Sequence, residues 1–370
     1  MTRARFLHTA DLHLGRPFGF LPPQLSEERR RDQRAALTKI ADLALERGLD
    51  MVLIAGDLFD SPDPDPTDLE AVTKEFSRLT EAGKRVFAVP GNHDLASPNS
   101  FWHRMSAEGL HVFLEPEWSS VTLDDLGVAV SGIAFDRAKS ERRAFESFEV
   151  PREMPAIVLV HASYEVFEGQ LERYHPFSAS EIGGTQASYV ALGHYHRFNS
   201  IPADGVAACY PGTPEGITFD TPETEDRFVV VGEIGDDGKA EIEPVKVNRR
   251  TMRTAEIDCT SFESQASLFD AVRKLCEPSA LVELKLAGSP TSDVAAVLEE
   301  LPSRFKESCL HLSVDTSGLS LAADLSADDR TIRGRFCEYM RRQIEDSTDP
   351  ERRRLLRRAL ELGLAAFSEE

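Results

Sequence analysis

A chain of 370 residues is too long for one compact hydrophobic core, so we expect two or three structural units. Its hydrophobic fraction of 41% and charged fraction of 28% are ordinary for a globular protein, and its apolar runs are too short to span a membrane. The formal net charge of -21 disfavours a surface that binds nucleic acid throughout, although a local groove can still be positive.

The sequence shows neither an export signal nor a disulfide framework. The N-terminus opens directly into a strand-like segment, without the charged and then apolar pattern of a secretory signal. The five cysteines are odd in number and form no CxxC pair, which favours reduced thiols. We therefore expect a cytoplasmic protein without a membrane segment.

The first 90 residues alternate between strand patterns and helix patterns. This β-α-β-α-β order predicts a layered α/β domain. The strands are predicted at residues 5–9, 51–55 and 85–89, and the helices at residues 24–47 and 67–82.

Further strand patterns continue to residue 247 without long helices between them. This succession indicates that a second sheet completes a sandwich, and it places the end of the first domain near residues 247–250. These strands are predicted at residues 127–133, 156–160, 189–192, 207–210, 228–234 and 240–247.

A small α/β unit and a helical tail follow, so the predicted domains are 1–250, 251–318 and 319–370. In the tail, two helices at residues 329–345 and 350–367 are joined by a short polar linker, and Pro350 suits a helix start. The small unit is predicted to contain strands at residues 254–259, 281–286 and 309–314, and helices at 264–275 and 292–301.

Five short clusters of metal-type ligands lie at or just beyond predicted strand ends in the first 196 residues. Ligands gather beyond the carboxyl ends of the strands in open α/β sheets. A single histidine at a strand end is more often structural, but the joint arrangement predicts a binuclear metal site, which cleaves phosphate esters. The candidate ligands are Asp11, His13, Asp57, Asn92, His161, His194 and His196.

The spacing and chemistry of these residues favour metal binding. Asp11 and His13 are two residues apart, as are His194 and His196, and this spacing puts both side chains of a pair on one face of a strand. A carboxylate with an imidazole is a normal ligand pair for manganese, iron or zinc. Asp57 follows a buried strand and a glycine, and its two oxygens can bridge two cations.

His93 and Asp94 are the candidate catalytic residues. His93 directly follows Asn92, whose side-chain carbonyl suits a hard cation, so the His93 side chain points elsewhere and is placed to act on a bound phosphate. Asp94 is positioned to accept a hydrogen bond from His93 and to raise its basicity.

The series Asp-x-His, Gly-Asp-x-x-Asp, Gly-Asn-His-Asp, His and Gly-His-x-His resembles the calcineurin-like metallophosphoesterase superfamily. Residues 6–15, 56–60 and 210–215 resemble more narrowly the SbcD-type DNA repair exonucleases and their YhaO-like branch. The resemblance is strong over residues 1–250 and extends to the small α/β unit in pattern only. It implies a four-layer metallophosphoesterase β-sandwich flanked by helices, a small α/β capping domain and a C-terminal helical tail.

The resemblance also implies how the ligands divide between two metal ions. Asp11, His13, Asp57 and His196 would hold one ion, and Asp57, Asn92, His161 and His194 would hold the other. His93 would act on the leaving group or orient the scissile phosphate. Some relatives carry a second histidine where this chain has Asp60, so only a structural role, or one beside a ligand, is expected at position 60.

The implied activity is a manganese-dependent DNA exonuclease or endonuclease. Relatives use a C-terminal helical segment to dock on a coiled-coil ATPase, which implies DNA and an SbcC-like or YhaN-like ATPase as partners, with a homodimer as a further expectation. The basic residues of the tail fit that role, but they equally fit a helix packed on its own domain. They are Arg352, Arg353, Arg354, Arg357 and Arg358.

Two other functions remain open from the sequence. The metal core would serve equally in a phosphodiesterase or phosphatase that acts on a small nucleotide or a phosphoprotein. A non-catalytic scaffold for an ATPase is the third reading, although a scaffold does not need seven ligands. If DNA is the substrate, the candidate phosphate contacts are Arg16, Arg104, Arg137, Lys139, Arg142, Arg143 and Arg197.

Overall fold

The described part of the chain forms two compact units. Their bounds are Met1–Met252 and Arg253–Glu370, two residues beyond the predicted end of the first domain, while the predicted division at residue 318 stays a prediction. No helix in the described ranges is long and apolar enough to cross a membrane. The computed structural model describes residues 4–98, 100–151, 154–165, 174–219, 226–319, 331–347, 349, 352, 353, 355, 356, 359, 360 and 363.

Strands and helices alternate at first, and strands then dominate. The strands are β1 (Ala4–Thr9), β2 (Met51–Ala55), β3 (Arg85–Val89), β4 (Leu110–Val112), β5 (Ser119–Leu123), β6 (Val128–Gly132), β7 (Ala156–His161), β8 (Tyr189–Gly193), β9 (Asn199–Ser200), β10 (Ala207–Tyr210), β11 (Phe228–Ile234), β12 (Ala240–Lys246), β13 (Thr251–Asp258), β14 (Ala280–Gly288) and β15 (His311–Leu319). The α-helices are α1 (Pro23–Glu46), α2 (Pro66–Glu81), α3 (Phe101–Arg104), α4 (Ala179–Gly184), α5 (Gln265–Arg273), α6 (Ser292–Ala295), α7 (Leu301–Arg304) and α8 (Ile332–Asp346).

The first unit contains two six-stranded sheets. The first sheet has the order β12-β11-β1-β2-β3-β4, in which β1 to β4 are parallel and β11 and β12 are antiparallel. The second has the order β5-β6-β7-β8-β10-β9, in which β6, β7, β8 and β10 are parallel. Parallel neighbours need crossover connections, and α1 and α2 supply them in the first sheet.

The two sheets pack face to face between helical layers. Every residue of β2 is buried, because Leu53 faces the second sheet while Val52 and Ile54 face the cluster that contains α1 and α2. The outer face of the second sheet packs with α4 through Ile182. This order of helix, sheet, sheet and helix confirms the predicted four-layer α/β sandwich.

The sandwich brings two sets of parallel strand ends to one edge. The strands β1, β2 and β3 of the first sheet and β7 and β8 of the second are those that the candidate ligands follow or terminate. The direction of these strands therefore explains how ligands from residues 11 to 196 meet.

The second unit is a small α/β domain around a three-stranded sheet with the order β13-β14-β15. Its core joins α5 to the sheet through Leu268, Val272 and Val282. The single helix predicted at residues 292–301 is wrong, because α6 ends at Ala295 and a 3-10 turn separates it from α7. Pro302 lies in the first turn of α7, where its missing N–H is tolerated, but it could not continue a helix from residue 292.

The first of the two predicted tail helices corresponds to α8. Thr331 caps this helix through its side chain, and Cys337 and Met340 form part of its buried face. The second predicted helix, at residues 350–367, lies largely outside the described residues.

Candidate metal centre

The candidate ligands lie on backbone that departs sharply from strand geometry. The φ angle is 53° at Asp11, 47° at His13, 50° at Asp57 and 114° at His194. Non-glycine residues pay an energetic penalty in this region, and such conformations concentrate at functional sites. The strand-parity argument for the two-residue spacings was therefore wrong, because these residues follow β1 and β8 rather than continue them.

Direct contacts join the two sheets at this edge. The Asp11 carboxylate accepts hydrogen bonds from the backbone N–H of His194 at 3.0 and 3.1 Å. His161 Nδ1 donates to the backbone oxygen of Ala55 at 3.0 Å. A Cβ at Gly193 would lie only 1.7 Å from that same oxygen, so glycine is required where β8 approaches the end of β2.

The histidine nitrogens that remain face other electron-pair donors. Since His161 Nδ1 carries the proton given to Ala55, the Nε2 atom of the neutral ring presents a lone pair. It lies 2.9 Å from the side-chain oxygen of Asn92 and 3.3 Å from Asp57 Oδ2. Such a set of acceptors is stable only around a proton or a cation.

Two more imidazoles repeat this pattern. His13 Nδ1 donates to Asp60 Oδ1 at 3.0 Å, and His13 Nε2 then lies 3.2 Å from Nε2 of His196. The buried His194 Nε2 has no hydrogen-bond partner among the described residues. Facing lone pairs and an orphaned buried nitrogen are what a divalent cation would satisfy, so the side chains present fit a metal centre.

All seven predicted ligands come together here. Three overlapping groups, each with ligand atoms within 4.8 Å of one another, could hold a metal ion. Asn92 joins them through His161, and His194 joins them through the Asp11 carboxylate and the His161 ring, whose centroid is 5.2 Å away. The groups are Asp11 with His13 and His196, His13 with Asp57 and His93, and Asp11 with Asp57 and His161.

The centre combines buried acids with buried bases. Burial raises the pKa of Asp11. Burial would also raise the pKa of Asp57, but the charges of His161, His13 and His93 hold it well below its ordinary value. For His161, burial lowers the pKa, yet Asp57 and Asp11 outweigh burial and raise it to about 9. The carboxylates thus favour positive charge at the position a cation would take.

His93 lies at the mouth of the centre with its side chain 38% exposed. Its backbone N–H donates to Asp57 Oδ1 at 2.9 Å, and its ring Nδ1 lies 3.3 Å from the backbone oxygen of Asp60. Asp57 therefore anchors the main chain at His93, while the ring remains accessible to a substrate.

Asp94 is not placed as predicted. Its carboxylate is fully buried and accepts backbone N–H groups from Gly91 at 2.7 Å and from Leu58 at 2.8 Å. Burial, followed by the charge of Asp57, raises the pKa of Asp94 to about 7. Asp94 ties the loop after β3 to the loop after β2, and the expected hydrogen bond to the His93 ring is not formed.

Asp60 takes the position beside His93 that the sequence assigned to Asp94. Asp60 Oδ1 accepts from His13 Nδ1 and from Arg16, each at 3.0 Å, and lies 3.9 Å from the His93 ring nitrogen. Its three-residue offset from Asp57 was visible in the sequence, but nothing there showed that it would touch a ligand.

The predicted phosphate contacts differ in their surroundings. Arg143 is held by Glu165 and Glu181, and Lys139 pairs with Glu117 at 2.6 Å. Arg16 leans on Asp60 next to the centre. Among the described residues, Arg104, Arg137, Arg142 and Arg197 have no carboxylate partner within 4.0 Å.

The family follows from this ligand set and from a direct match. Residues 4–198 match the family described as Calcineurin-like phosphoesterase. The chain belongs to this family. The resemblance stated from the sequence is therefore confirmed, and the chain is a metallophosphoesterase with nucleases among its relatives.

Three relatives illustrate that similarity. The metallophosphoesterase YhaO of Bacillus subtilis is 27% identical over 298 residues, which cover 78% of this chain and 70% of that protein. The DNA double-strand break repair protein Mre11 of Aeropyrum pernix is 30% identical over 287 residues, covering 73% and 66%. One component of the nuclease SbcCD of Bacillus subtilis is 25% identical over 256 residues, covering 58% and 62%.

Proposed function

We propose that this protein hydrolyses phosphodiester bonds in DNA with two divalent metal ions, as an exonuclease or endonuclease in DNA repair. The observation that carries the proposal is the convergence of the candidate ligands with their lone pairs facing one another. DNA as the substrate is supported by two of the relatives, a DNA double-strand break repair protein and a component of a nuclease.

Asp57 is the proposed bridge between the two ions, because it contacts histidines from both sheets. Its Oδ2 lies 3.3 Å from His161 Nε2 and 3.7 Å from His13 Nε2. Mixed carboxylate, amide and imidazole ligands suit Mn²⁺, the proposed metal. One ion would be held by Asp11, His13, Asp57 and His196, and the other by Asp57, Asn92, His161 and His194.

When bound, two cations would neutralise charge on the phosphate and lower the pKa of an attacking water. His93 is the proposed proton donor to the leaving oxygen. Its Nδ1 faces the Asp60 carbonyl, so Nε2 is the nitrogen left to exchange a proton with substrate. Asp60 holds His13 and faces the His93 ring, which fixes the relation between the ligand and the acid.

Arg16 and Arg197 are the proposed contacts to the DNA backbone, because each closely follows a ligand, His13 and His196 respectively. Phosphate contacts release counterions, so DNA binding should weaken as salt rises. A coiled-coil ATPase of the SbcC or YhaN kind is the proposed protein partner. The fact that one relative is a component of a larger nuclease supports this proposal.

A substrate panel tests the proposal. The full chain would be assayed with Mn²⁺ on linear double-stranded DNA, single-stranded DNA, a cyclic dinucleotide, a phosphopeptide and bis(p-nitrophenyl) phosphate. We expect cleavage of DNA and of the chromogenic diester, and loss of both with a chelator. The Asp11→Asn variant is the matched control, because it removes one ligand charge at nearly constant volume.

The alternatives predict different outcomes of the same panel. Hydrolysis of the dinucleotide or the phosphopeptide without hydrolysis of DNA would replace the nuclease by a small-substrate phosphodiesterase or a phosphatase. Absence of hydrolysis on every substrate, with both ions bound, would favour the scaffold for an ATPase.

A further inference from the structure

A buried ion network lies behind the metal centre. Arg29 of α1 has no exposed surface, and its guanidinium donates to Asp32 Oδ2 at 3.0 Å, to Glu215 Oε2 at 3.0 Å and to the backbone oxygen of Gly216 at 2.9 Å. Both carboxylates are also buried. Replacing such a group by apolar residues often leaves stability unchanged or improved, so a role beyond stability should be sought.

The network also holds the chain that leads out of the first unit. The second oxygen of Glu215 accepts the backbone N–H of Arg249, so both oxygens of this carboxylate are engaged. Asp32 in turn accepts from Arg250 Nε at 3.1 Å. Glu215 is thus fixed from two sides, by α1 and by residues 249–250.

The segment that carries Glu215 lies directly against a candidate ligand. The backbone N–H of Thr213 donates to the backbone oxygen of His196 at 3.3 Å. Gly212 has a φ of 77°, and a Cβ there would lie 2.7 Å from that oxygen. Arg227 fixes Thr213 from behind, through its backbone oxygen at 3.0 Å and its hydroxyl at 2.6 Å. A shift of residues 212–215 therefore requires a shift of the peptide at His196.

We propose that Arg29 and Glu215 are positioning residues for His196, which hold the 212–215 turn so that the His196 ring faces His13. The inference rests on the proposed function, in which His196 is a metal ligand. It assigns the buried charges a purpose that stability does not supply. Asp32, Arg249 and Arg250 complete the network by fixing the two carboxylates.

The decisive variant removes the charged pair together. Arg29→Met with Glu215→Leu leaves no uncompensated charge, because Asp32 keeps Arg250 as its partner. We expect the melting temperature of the metal-free variant to stay close to that of the parent chain. We also expect one of the two Mn²⁺ ions to bind roughly 10- to 100-fold more weakly, the usual effect of disturbing groups that support ligands.

Two measurements separate positioning from folding. Titration calorimetry with Mn²⁺ gives the two affinities, and the visible spectrum of the Co²⁺-loaded protein reports ligand geometry directly. Glu215→Gln retains an oxygen for Arg29 and should bind both ions as the parent does. Arg29→Lys cannot reach all three acceptors, should weaken the same ion, and serves if the double variant does not fold.

Arg78→Met is the matched control, since Arg78 joins α2 to α1 through Glu75 and Asp42 without contact to a candidate ligand. It should leave both affinities and the cobalt spectrum unchanged. Unchanged metal binding in the folded double variant, or in folded Arg29→Lys, would overturn the inference while leaving the metal centre intact. If the parent chain itself binds no pair of ions, the proposed function fails first.

Discussion

The two sheets contribute unlike groups to the same centre. The exits of the first sheet provide every oxygen ligand, from Asp11, Asp57 and Asn92, together with the imidazole of His13. The exits of the second sheet provide imidazoles only. Acidic oxygens from one sheet and basic nitrogens from the other therefore meet only where the sandwich closes, and neither sheet alone has the composition of a binuclear site.

The two edges also differ in backbone strain. Three candidate ligands that follow strands of the first sheet have positive φ angles, whereas His194 alone does so in the second. His161 still belongs to β7 and sits at its last position. The first edge is therefore bent around the centre, while the second largely presents side chains from regular strand ends. We expect substitutions at the first edge to have the broader effects.

Asp57→Ala should give the largest effect and tests this asymmetry directly. Since Asp57 contacts histidines of both sheets, its loss should remove both ions and lower phosphodiesterase activity to background. His161→Ala, at the second edge, should remove one ion and leave the other. Metal content of the dialysed proteins, measured by mass spectrometry, distinguishes the two outcomes.

The exposed acid Asp125 is the control for this comparison, since it pairs with Arg85 at the surface. Asp125→Ala should retain two ions and full activity. Equal metal loss in Asp57→Ala and His161→Ala would show that Asp57 is not a bridge and that the two edges contribute alike.

His93→Ala should separate catalysis from metal binding within the first edge. The backbone N–H that anchors Asp57 survives this substitution, so both ions should remain. Loss of the proton donor should lower kcat by roughly 10²- to 10⁴-fold. Steady-state kinetics beside metal analysis checks this, with the exposed His103 replaced by Ala as the control. Turnover equal to that of the parent would remove His93 from the mechanism.

Asp60→Ala should have an intermediate effect through His13. Without Asp60 Oδ1, the His13 ring loses the acceptor that fixes its proton on Nδ1, and Arg16 loses its partner. Metal affinity should fall by roughly 10- to 100-fold. Asp60→Asn keeps an acceptor oxygen and should recover part of that loss in calorimetric titrations. Two variants with identical affinities, both equal to the parent, would mean that Asp60 does not orient His13.

The sequence predicted the sandwich and its ligands because both leave local patterns. The strands β2, β3 and β10 were predicted at their observed bounds, since each is a run of buried residues. The ligands were predicted because residues such as His161 and Asp57 directly end or follow those runs. Strand direction then brings them together without any information about loops.

Contacts that depend on loop conformation could not be predicted in this way. The sequence places Asp94 beside His93, and only the path of the chain shows that Asp94 turns towards backbone N–H groups while Asp60 takes its place. The left-handed conformation at Asp11 likewise has no local signal, because glycine usually marks such positions. Short strands such as β4 and β9 carry too few residues for a pattern.

Arg143→Ala should have the smallest effect, because this residue lies away from either ligand edge and its charge is already matched. Arg143 donates to Glu165 at 2.6 Å and is also held by Glu181, so we expect DNA binding and its salt dependence to stay unchanged. Arg197→Ala is the matched comparison and should weaken DNA binding. A loss of affinity as large as that of Arg197→Ala would instead make Arg143 part of the DNA surface.

The consequence of Arg143→Ala should appear in acid. Hydrogen bonds from Arg143 lower the pKa of Glu181 from its ordinary 4.5 to about 2. A carboxyl with a lowered pKa in the folded state contributes stability that is present above pH 4.5 and is lost as the pH falls towards 2. Without Arg143 that contribution disappears, so acid unfolding followed by circular dichroism should begin at a higher pH than in the parent. Coincident acid transitions would mean that the pair contributes nothing measurable, as many exposed ion pairs do.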